Sequence, residues 1–416
     1  MIGKVFSEKM FCSLDIGTHK IKGSVLRVNR TRNKEELELI NVNESRLYGF
    51  EDAHVSNLSE LADSINSALK DLTKKCLRPP KEIQLGISGD LVSSRPVHTT
   101  IPLADRGAKA ITSKDIEKAN HQAKILGTKM DEEVLHYIPL HYHIDESDTL
   151  LDPNGLYARK LGVDAVLYLS NENRLRNISK AVNQAGYEVD NIFFSSYVAA
   201  EVALSEEERK YGCGFLDIGS RTSTLFIFKD NRLKSSEILS WGGDMLTEAI
   251  AKQLNLAYEM AEDIKKSYAV AMDGDKYKDE EILLKKEDAY RPIKRAVVTE
   301  AVMPEVEKLT GIITDIFNSP GRKDDAQRGA VVVGGGALMP GIIEKIGLAA
   351  GVPVRLGKIN FPYRRDLSQE ILYLSATGLA YQGYRKSYPR QVLISGQHPW
   401  YQKVLKRGKE LYEEYF

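Results

Sequence analysis

FCSLDIGTHKIKGSV (Phe11–Val25) and GFLDIGSRTSTLFIF (Gly214–Phe228) carry the same tetrapeptide, Leu-Asp-Ile-Gly, in the two halves of one chain. Each copy sits in an apolar run and is followed by a hydroxyl residue, Thr18 or Ser220. Both read as strand, turn, strand, a β-hairpin with an aspartate near its tip. Gly17 and Gly219 allow the backbone to approach phosphate oxygens with its N–H groups, Thr18 adds a hydroxyl donor, and Lys20 or Lys22 adds positive charge. A carboxylate facing phosphates is repulsive on its own. Asp15 and Asp217 are therefore expected to hold a divalent cation, Mg²⁺, through water. One such hairpin is an ordinary turn; two opposed hairpins could clamp one polyphosphate.

The rest of the composition is neutral ground. At 416 residues the chain is long enough for two or more cores. With 58 basic and 58 acidic residues the net charge is zero, so no global field draws it to nucleic acid or lipid. Cys12, Cys76 and Cys213 are expected to be reduced structural thiols, with no disulfide and no zinc site. No signal peptide and no apolar run long enough to cross a bilayer is recognisable, so the expectation is a chain neither secreted nor membrane-spanning.

Along the chain, Leu58–Cys76 has the apolar spacing of one helical face, with Asn57 as its cap and Pro79-Pro80 as its stop. EIQLGISG is a buried strand. From about Val92 to Leu161 short strands and a helix over Ser113–Leu126 suggest an inserted α+β subdomain. DAVLYLS, NRLRNISKAVNQAGYE and NIFFSS follow as a βαβ pattern, and SSYVAAEVALSEEERK as one helix leading into the second hairpin. Ala257–Glu307 reads as charged and mostly helical. RGAVVVGGGALMPGIIEKIG is a strand, a triple-glycine turn (Gly334, Gly335, Gly336) and a helix. Met339 stands where a dinucleotide fingerprint needs its last glycine, and no GxxxxGK[ST] occurs.

In this order the motifs resemble the actin-like ATPase superfamily of actin, Hsp70 chaperones and sugar kinases. LDIGTHKIK resembles its first phosphate loop, LDIGSRTST its second, and VVVGGGALMPG its adenosine loop. The resemblance covers nearly the whole chain and implies an α/β, two-lobed, actin-like (ribonuclease H-like) fold that binds ATP with Mg²⁺. It places His19, Ser220, Arg221 and Thr222 beside the phosphates and Gly242 and Gly243 in the segment after the second hairpin. Glu262, Lys265 and Lys266 match the helix that touches ribose and adenine.

Within the superfamily the insert after EIQLGISGDLVSSRPV and a helix after a short tail resemble the FtsA family of bacterial cell-division proteins. That resemblance implies a first lobe (1A) of residues 1–83, 163–208 and 371–395, with an inserted α+β subdomain (1C) of 84–162. A second lobe (2A) would span 209–245 and 301–370, with an outer part (2B) of 246–300 and an amphipathic tail helix of 396–416. It further implies self-assembly into filaments at the division site on the cytoplasmic face of the membrane. The C-terminal peptide of the tubulin-like protein FtsZ and other division proteins would be partners; nucleic acid would not.

A water-orienting Glu or Gln usual at the start of the first connecting helix is replaced by Ser195 and Ser196. Slow or absent ATP hydrolysis is expected, with Thr222 the remaining catalytic candidate. In the tail, Tyr401, Val404, Leu405, Gly408, Leu411, Tyr412, Tyr415 and Phe416 share one helical side with Trp400 at the rim, opposite Lys403, Lys406, Arg407 and Lys409 and then Glu410, Glu413 and Glu414. This pattern fits an interfacial membrane helix, the reading the resemblance favours over a terminal helix docked on the protein's own body, although the acidic second half partly cancels the cations. Arg291, Lys294 and Arg295 could pair with acidic residues of the FtsZ peptide, or form a solvated face.

His136, His141 and His143 suggest a metal site only weakly, because no third ligand of clear spacing is nearby in sequence, and an ordinary half-exposed strand is expected. DGDKYKDEE has its glycine at the wrong position for a calcium loop. Two other readings remain: a small-molecule kinase of the same fold, and an actin-like assembly protein of type IV pili. Neither explains the tail helix.

Overall fold

The two hairpins start two sheets of the same topology. In the computed structural model, which describes residues 7–30, 35–104, 107–145, 148–272, 280–286, 289–364 and 370–388, β1 (Ser7–Ile16), β2 (Lys20–Arg30) and β3 (Glu35–Arg46) form an antiparallel meander. After a small hairpin of β4 (Phe50–Glu51) and β5 (His54–Val55) come α1 (Leu58–Thr73) and β6 (Glu82–Ile87), which runs parallel to β1. The Asn57 side chain accepts the N–H groups of Ser59 and Glu60, a cap of the kind worth ~1 kcal/mol. The Leu61, Ile65, Leu69 and Leu72 stripe of α1 is fully buried.

The insert contains β7 (Ser93–Pro102), β8 (Lys109–Ala110), α2 (Ser113–Gly127), β9 (Glu132–Ile144), β10 (Asp148–Leu150), β11 (Tyr157–Ala158) and β12 (Lys160–Asn171). Its main sheet has the order β10-β9-β12-β7, and Ile101, Ala119, Ala123, Tyr142, Leu161 and Val163 form a separate core. Here the sequence reading needs correction. DAVLYLS is the end of β12, which pairs with β7 and β9 inside the insert and not with the strand NIFFSS. The expected boundary at 162/163 thus falls within one strand. Its alternation serves two cores: Leu161 and Val163 face the insert's, and Tyr168 joins the main one.

From β12 the chain runs through α3 (Glu172–Gln184) to β13 (Glu188–Phe194), which pairs parallel with β6. The single helix expected from Ser195 is two, α4 (Ser195–Ala203) and α5 (Glu206–Tyr211). Ser205 and Glu208 form a reciprocal capping box, which starts the second helix afresh. The second sheet then repeats the first: β14 (Cys213–Ile218), β15 (Ser223–Lys229) and β16 (Arg232–Leu239) make the meander. α6 (Gly243–Leu254) and α7 (Tyr258–Tyr268) follow.

A second correction concerns the segment expected to be mostly helical. β17 (Glu281–Lys286) and β18 (Ala289–Lys294) form a hairpin before α8 (Arg295–Asn318). Ile282 is buried beside an exposed Leu283, the alternation of a strand, and Pro292 suits a short two-stranded edge better than a helix interior. Residues 273–279, which hold most of DGDKYKDEE, lie outside the described residues. β19 (Ala330–Val333) returns beside β14, the triple glycine leads through a short 3₁₀ turn, and α9 (Ile342–Ala350) begins later than expected. β20 (Val354–Leu356) completes the sheet and α10 (Leu374–Ser387) the described chain.

The two sheet orders, β3-β2-β1-β6-β13 and β16-β15-β14-β19-β20, are the same pattern. α10 packs against α4 and the first sheet, where Ser13 and Ser24 both donate to the Ala376 carbonyl at 2.7 and 3.0 Å. The helices touch at Gly378, where a Cβ would lie 2.9 Å from Val198 Cγ1 and 3.2 Å from the Val198 carbonyl oxygen.

Candidate functional site

The matched topology brings the two hairpin tips to one cleft. Gly17 donates its N–H to the Lys20 carbonyl and Gly219 to the Thr222 carbonyl, each at 3.0 Å, so the turns close in the same way. A Cβ on Gly219 would come within 2.9 Å of the Thr222 oxygen, which is why the tip requires glycine. By register Asp15 sits opposite Lys22, and Asp217 opposite Thr224. The cleft between them has a volume of about 490 Å³.

Asp15, Gly17, Thr18, His19, Lys20, Lys22, Asp217, Gly219, Ser220, Arg221 and Thr222 all line this cleft, as do Gly243, Glu262, Lys265, Lys266 and Gly334–Gly336. Gly242 lies beneath the second tip: a Cβ there would meet the Ser220 carbonyl at 2.3 Å. Gly334 has φ +88°, and its missing Cβ would lie 2.3 Å from the Ile218 carbonyl and 2.7 Å from Asp217 Oδ1. This turn therefore packs directly on the second aspartate.

The two aspartates are held by serines. Asp15, itself buried, accepts from Ser195 and from Ser375, each at 2.5 Å. Asp217 accepts from Ser196 at 2.7 Å. Burial pushes the Asp217 carboxyl up, the Ser196 hydroxyl opposes this, the nearby Asp15 charge adds to the rise, and Lys22 lowers it. Two carboxylates gathered in one buried place, with only partial cationic relief, form a donor set that fits a hard divalent ion. The serines that take the place of a water-orienting residue thus have a positioning role.

Several candidates already have partners within the fold. His19 Nε2 meets Asp244 Oδ2 at 2.8 Å, Arg221 pairs with Asp52 at 2.7 Å and Asp90 at 3.6 Å, and Lys20 pairs with Glu44. The first two contacts join the lobes across the cleft mouth. Lys265 donates to the Gly243 carbonyl at 2.9 Å and Thr247 at 2.8 Å, and it pairs with Glu262 at 2.6 Å. Burial opposes ionisation of Glu262, but the Lys265 and Thr247 hydrogen bonds outweigh it and hold the carboxyl at about 2. Burial pushes the Cys12 and Cys213 thiols up to about 12, which leaves them unreactive.

Sequence reasoning missed Glu44, Ser88, Gly89, Asp244 and Ser375, which also line the cleft. A signal for Ser88-Gly89 was present: a buried strand ending in Ser-Gly beside β1. A Cβ on Gly89 would lie 3.7 Å from Thr222 Oγ1 and 3.9 Å from Thr18 Oγ1, so three loops converge there. Away from the cleft, Arg291 and Lys294 lie on β18, with Lys294 exposed. Arg295 donates to the Tyr268 carbonyl at 2.9 Å and pairs with Glu280 at 2.7 Å. The tail residues from Trp400 to Phe416 lie outside the described residues. Among the described residues no helix is long and apolar enough to cross a membrane.

The family model described as cell division protein FtsA matches residues 215–378, and that of the SHS2 domain inserted in FtsA matches residues 89–169. The chain belongs to the FtsA family. Cell division protein FtsA of Streptococcus pneumoniae is 29% identical over 357 residues, covering 84% of this chain and 75% of that protein. FtsA of Pseudomonas aeruginosa is 27% identical over 391 residues and covers 92% of each. Among solved structures, the PilM–PilN type IV pilus biogenesis complex matches with a TM-score of 0.61 at 17% identity, over 90% of this chain and 98% of that one. MreB5 of Spiroplasma citri bound to ADP matches with a TM-score of 0.51 at 14% identity, over 92% and 99%. These likenesses establish the actin-like fold, and the SHS2 match coincides with the sheet β10-β9-β12-β7 and its helix.

Proposed function

We propose that this FtsA-family chain binds ATP with Mg²⁺ between its two hairpins and retains it with slow or no hydrolysis. In this reading it polymerises on the cytoplasmic face of the membrane at the division site and ties the FtsZ ring to it. The single observation that carries the nucleotide reading is the gathering of Asp15 and Asp217, held by consecutive serines, at the floor of a cleft lined by both glycine turns and Gly334–Gly336. MreB5, of the same fold, was solved with ADP, which supports the ligand class.

Mg²⁺ would be held by Asp15 and Asp217 through water and would neutralise phosphate charge. The chain's own residues do the rest. The turn N–H groups and the hydroxyls of Thr18 and Thr222 would bind phosphate oxygens, Lys22 would add charge, and Glu262 with Lys266, which also line the cleft, would contact the sugar and base. Ser195 and Ser196, which stand where a water-orienting residue would, have their hydroxyls committed to the two aspartates, which supports slow or no hydrolysis.

The FtsZ contact is assigned to the 2B surface around Arg291 and Lys294, with Arg295 holding the start of α8 in place. Membrane attachment is assigned to the tail helix, 396–416. The test combines electron microscopy on a lipid monolayer with ATP and liposome co-sedimentation of the full chain and a truncation before Trp400. Filaments that need ATP, and lipid binding lost on truncation, support the proposal. ATP-independent assembly or undiminished lipid binding refutes the corresponding part, and rapid phosphate release would refute the holding role.

A further inference from the structure

We propose that the outer face of the inserted sheet holds a divalent transition-metal site, formed by His98, His143 and Asp164 with His141 beside them. Three of the chain's eight histidines converge on one aspartate there. His98 Nδ1 lies 2.6 Å from Asp164 Oδ1, and His141 and His143 place Nε2 at 2.6 and 2.7 Å from Asp164 Oδ2.

The register explains the convergence. His98 on β7 and His141 on β9 both pair directly with Asp164 on the central strand β12. Directly opposed residues put their side chains on the same face of a sheet, so the row His98, Asp164, His141 is fixed by backbone pairing. His143 lies two residues beyond His141 and therefore shares the face, opposite Gly162. The absence of a side chain at Gly162 leaves a shallow cavity of about 320 Å³ bordered by His98, Thr100, His143 and Gly162. The opposite face of the sheet carries the apolar core on α2, so this polar cluster does not serve that core.

One atom each from His98, His143 and Asp164 lies within 4.8 Å of the other two. A tetrahedral ion with bonds of ~2.0–2.1 Å needs ligand atoms about 3.3 Å apart, a separation reached from hydrogen-bond contact by small rotations of the rings. Two imidazoles and one carboxylate, with no thiolate, select borderline ions such as Zn²⁺, and the exposed side leaves a position for water or for His141. On binding, the protons of His98 Nδ1 and His143 Nε2 pass to the other ring nitrogens, so both rings remain neutral ligands. The ion would fasten β7, β12 and β9 together, independently of the nucleotide cleft.

The experiment is Zn²⁺ titration by calorimetry on the untagged full chain, with Co²⁺ absorption as a reporter of tetrahedral geometry. The variants are His98→Ala, His143→Ala, Asp164→Asn and, as a control on α2, His121→Ala. One equivalent of Zn²⁺ with affinity at least ~10-fold weaker in His98→Ala and His143→Ala, and unchanged in His121→Ala, is expected. His98 is well exposed, with 60% of its side-chain surface accessible, so His98→Ala keeps the test valid if His143→Ala fails to fold. No binding by the parent chain, or equal binding by parent and His98→Ala, overturns the proposal.

Discussion

Acidification should loosen the joint between the insert and the first lobe through His136. Its Nε2 accepts the backbone N–H of Phe194 at 3.0 Å, and the rings of Tyr197, Phe193 and Tyr168 surround it at 4.9, 5.9 and 6.4 Å. Burial, with a smaller contribution from Lys386, pushes the imidazole from its ordinary 6.5 down to about 4. The unfolded chain therefore takes up this proton at a higher pH than the folded one. The stabilisation is fully present above about pH 6.5 and is lost as pH falls toward 4, below which both states are protonated. At 1.36 kcal/mol per tenfold change in proton affinity this is about 3 kcal/mol, an upper bound because the ring is not wholly shut off from water. The assay is an NMR titration of the histidine rings, with His136 assigned by its absence in His136→Gln, alongside urea unfolding of both proteins at neutral and acid pH. His136 should titrate well below the exposed histidines, and the parent should lose more stability on acidification than the variant. A His136 midpoint near 6.5, or equal losses in the two proteins, refutes the reasoning.

Gly334→Ala should cost ~3 kcal/mol or more, because positive φ and a 2.3 Å approach to the Ile218 carbonyl act together, and a large fall in the thermal midpoint would register it. Asp217→Asn should weaken Mg²⁺-dependent ATP binding at least ~10-fold, measured with a fluorescent analogue, while leaving nucleotide-free stability equal or higher through relief from Asp15. Arg221→Ala should change stability by no more than ~1 kcal/mol in a denaturant titration, since its pair with Asp52 is largely exposed, yet should speed nucleotide dissociation in a chase experiment.

The hairpins, the caps at Asn57 and the glycine turns were legible because each is written within a few residues. Asp15 and Asp217 were readable for the same reason, and their convergence followed from the repetition of one motif in two lobes. What sequence reading missed depends on long-range pairing. Nothing local in DAVLYLS distinguishes a strand bound for β13's sheet from one paired with β7 and β9, and the His98–Asp164–His141 row exists only through that register. Ser375, far along the chain from Asp15, was likewise invisible until α10 was laid against the first sheet. The capping box at Ser205 was present in the letters SEEE but was overridden by the continuous helical pattern around it.

Consecutive residues of one helix, Ser195 and Ser196, grip the carboxylates of opposite lobes. Neighbouring side chains on a helix keep a fixed spacing, so the first turn of α4 acts as a gauge block between Asp15 and Asp217. Motion that opens the mouth by parting Arg221 from Asp52, or His19 from Asp244, must then pivot about that turn. In this arrangement the rim can swing while the floor keeps its dimension, so a nucleotide bound as proposed would exchange without dismantling the place where the cation would sit.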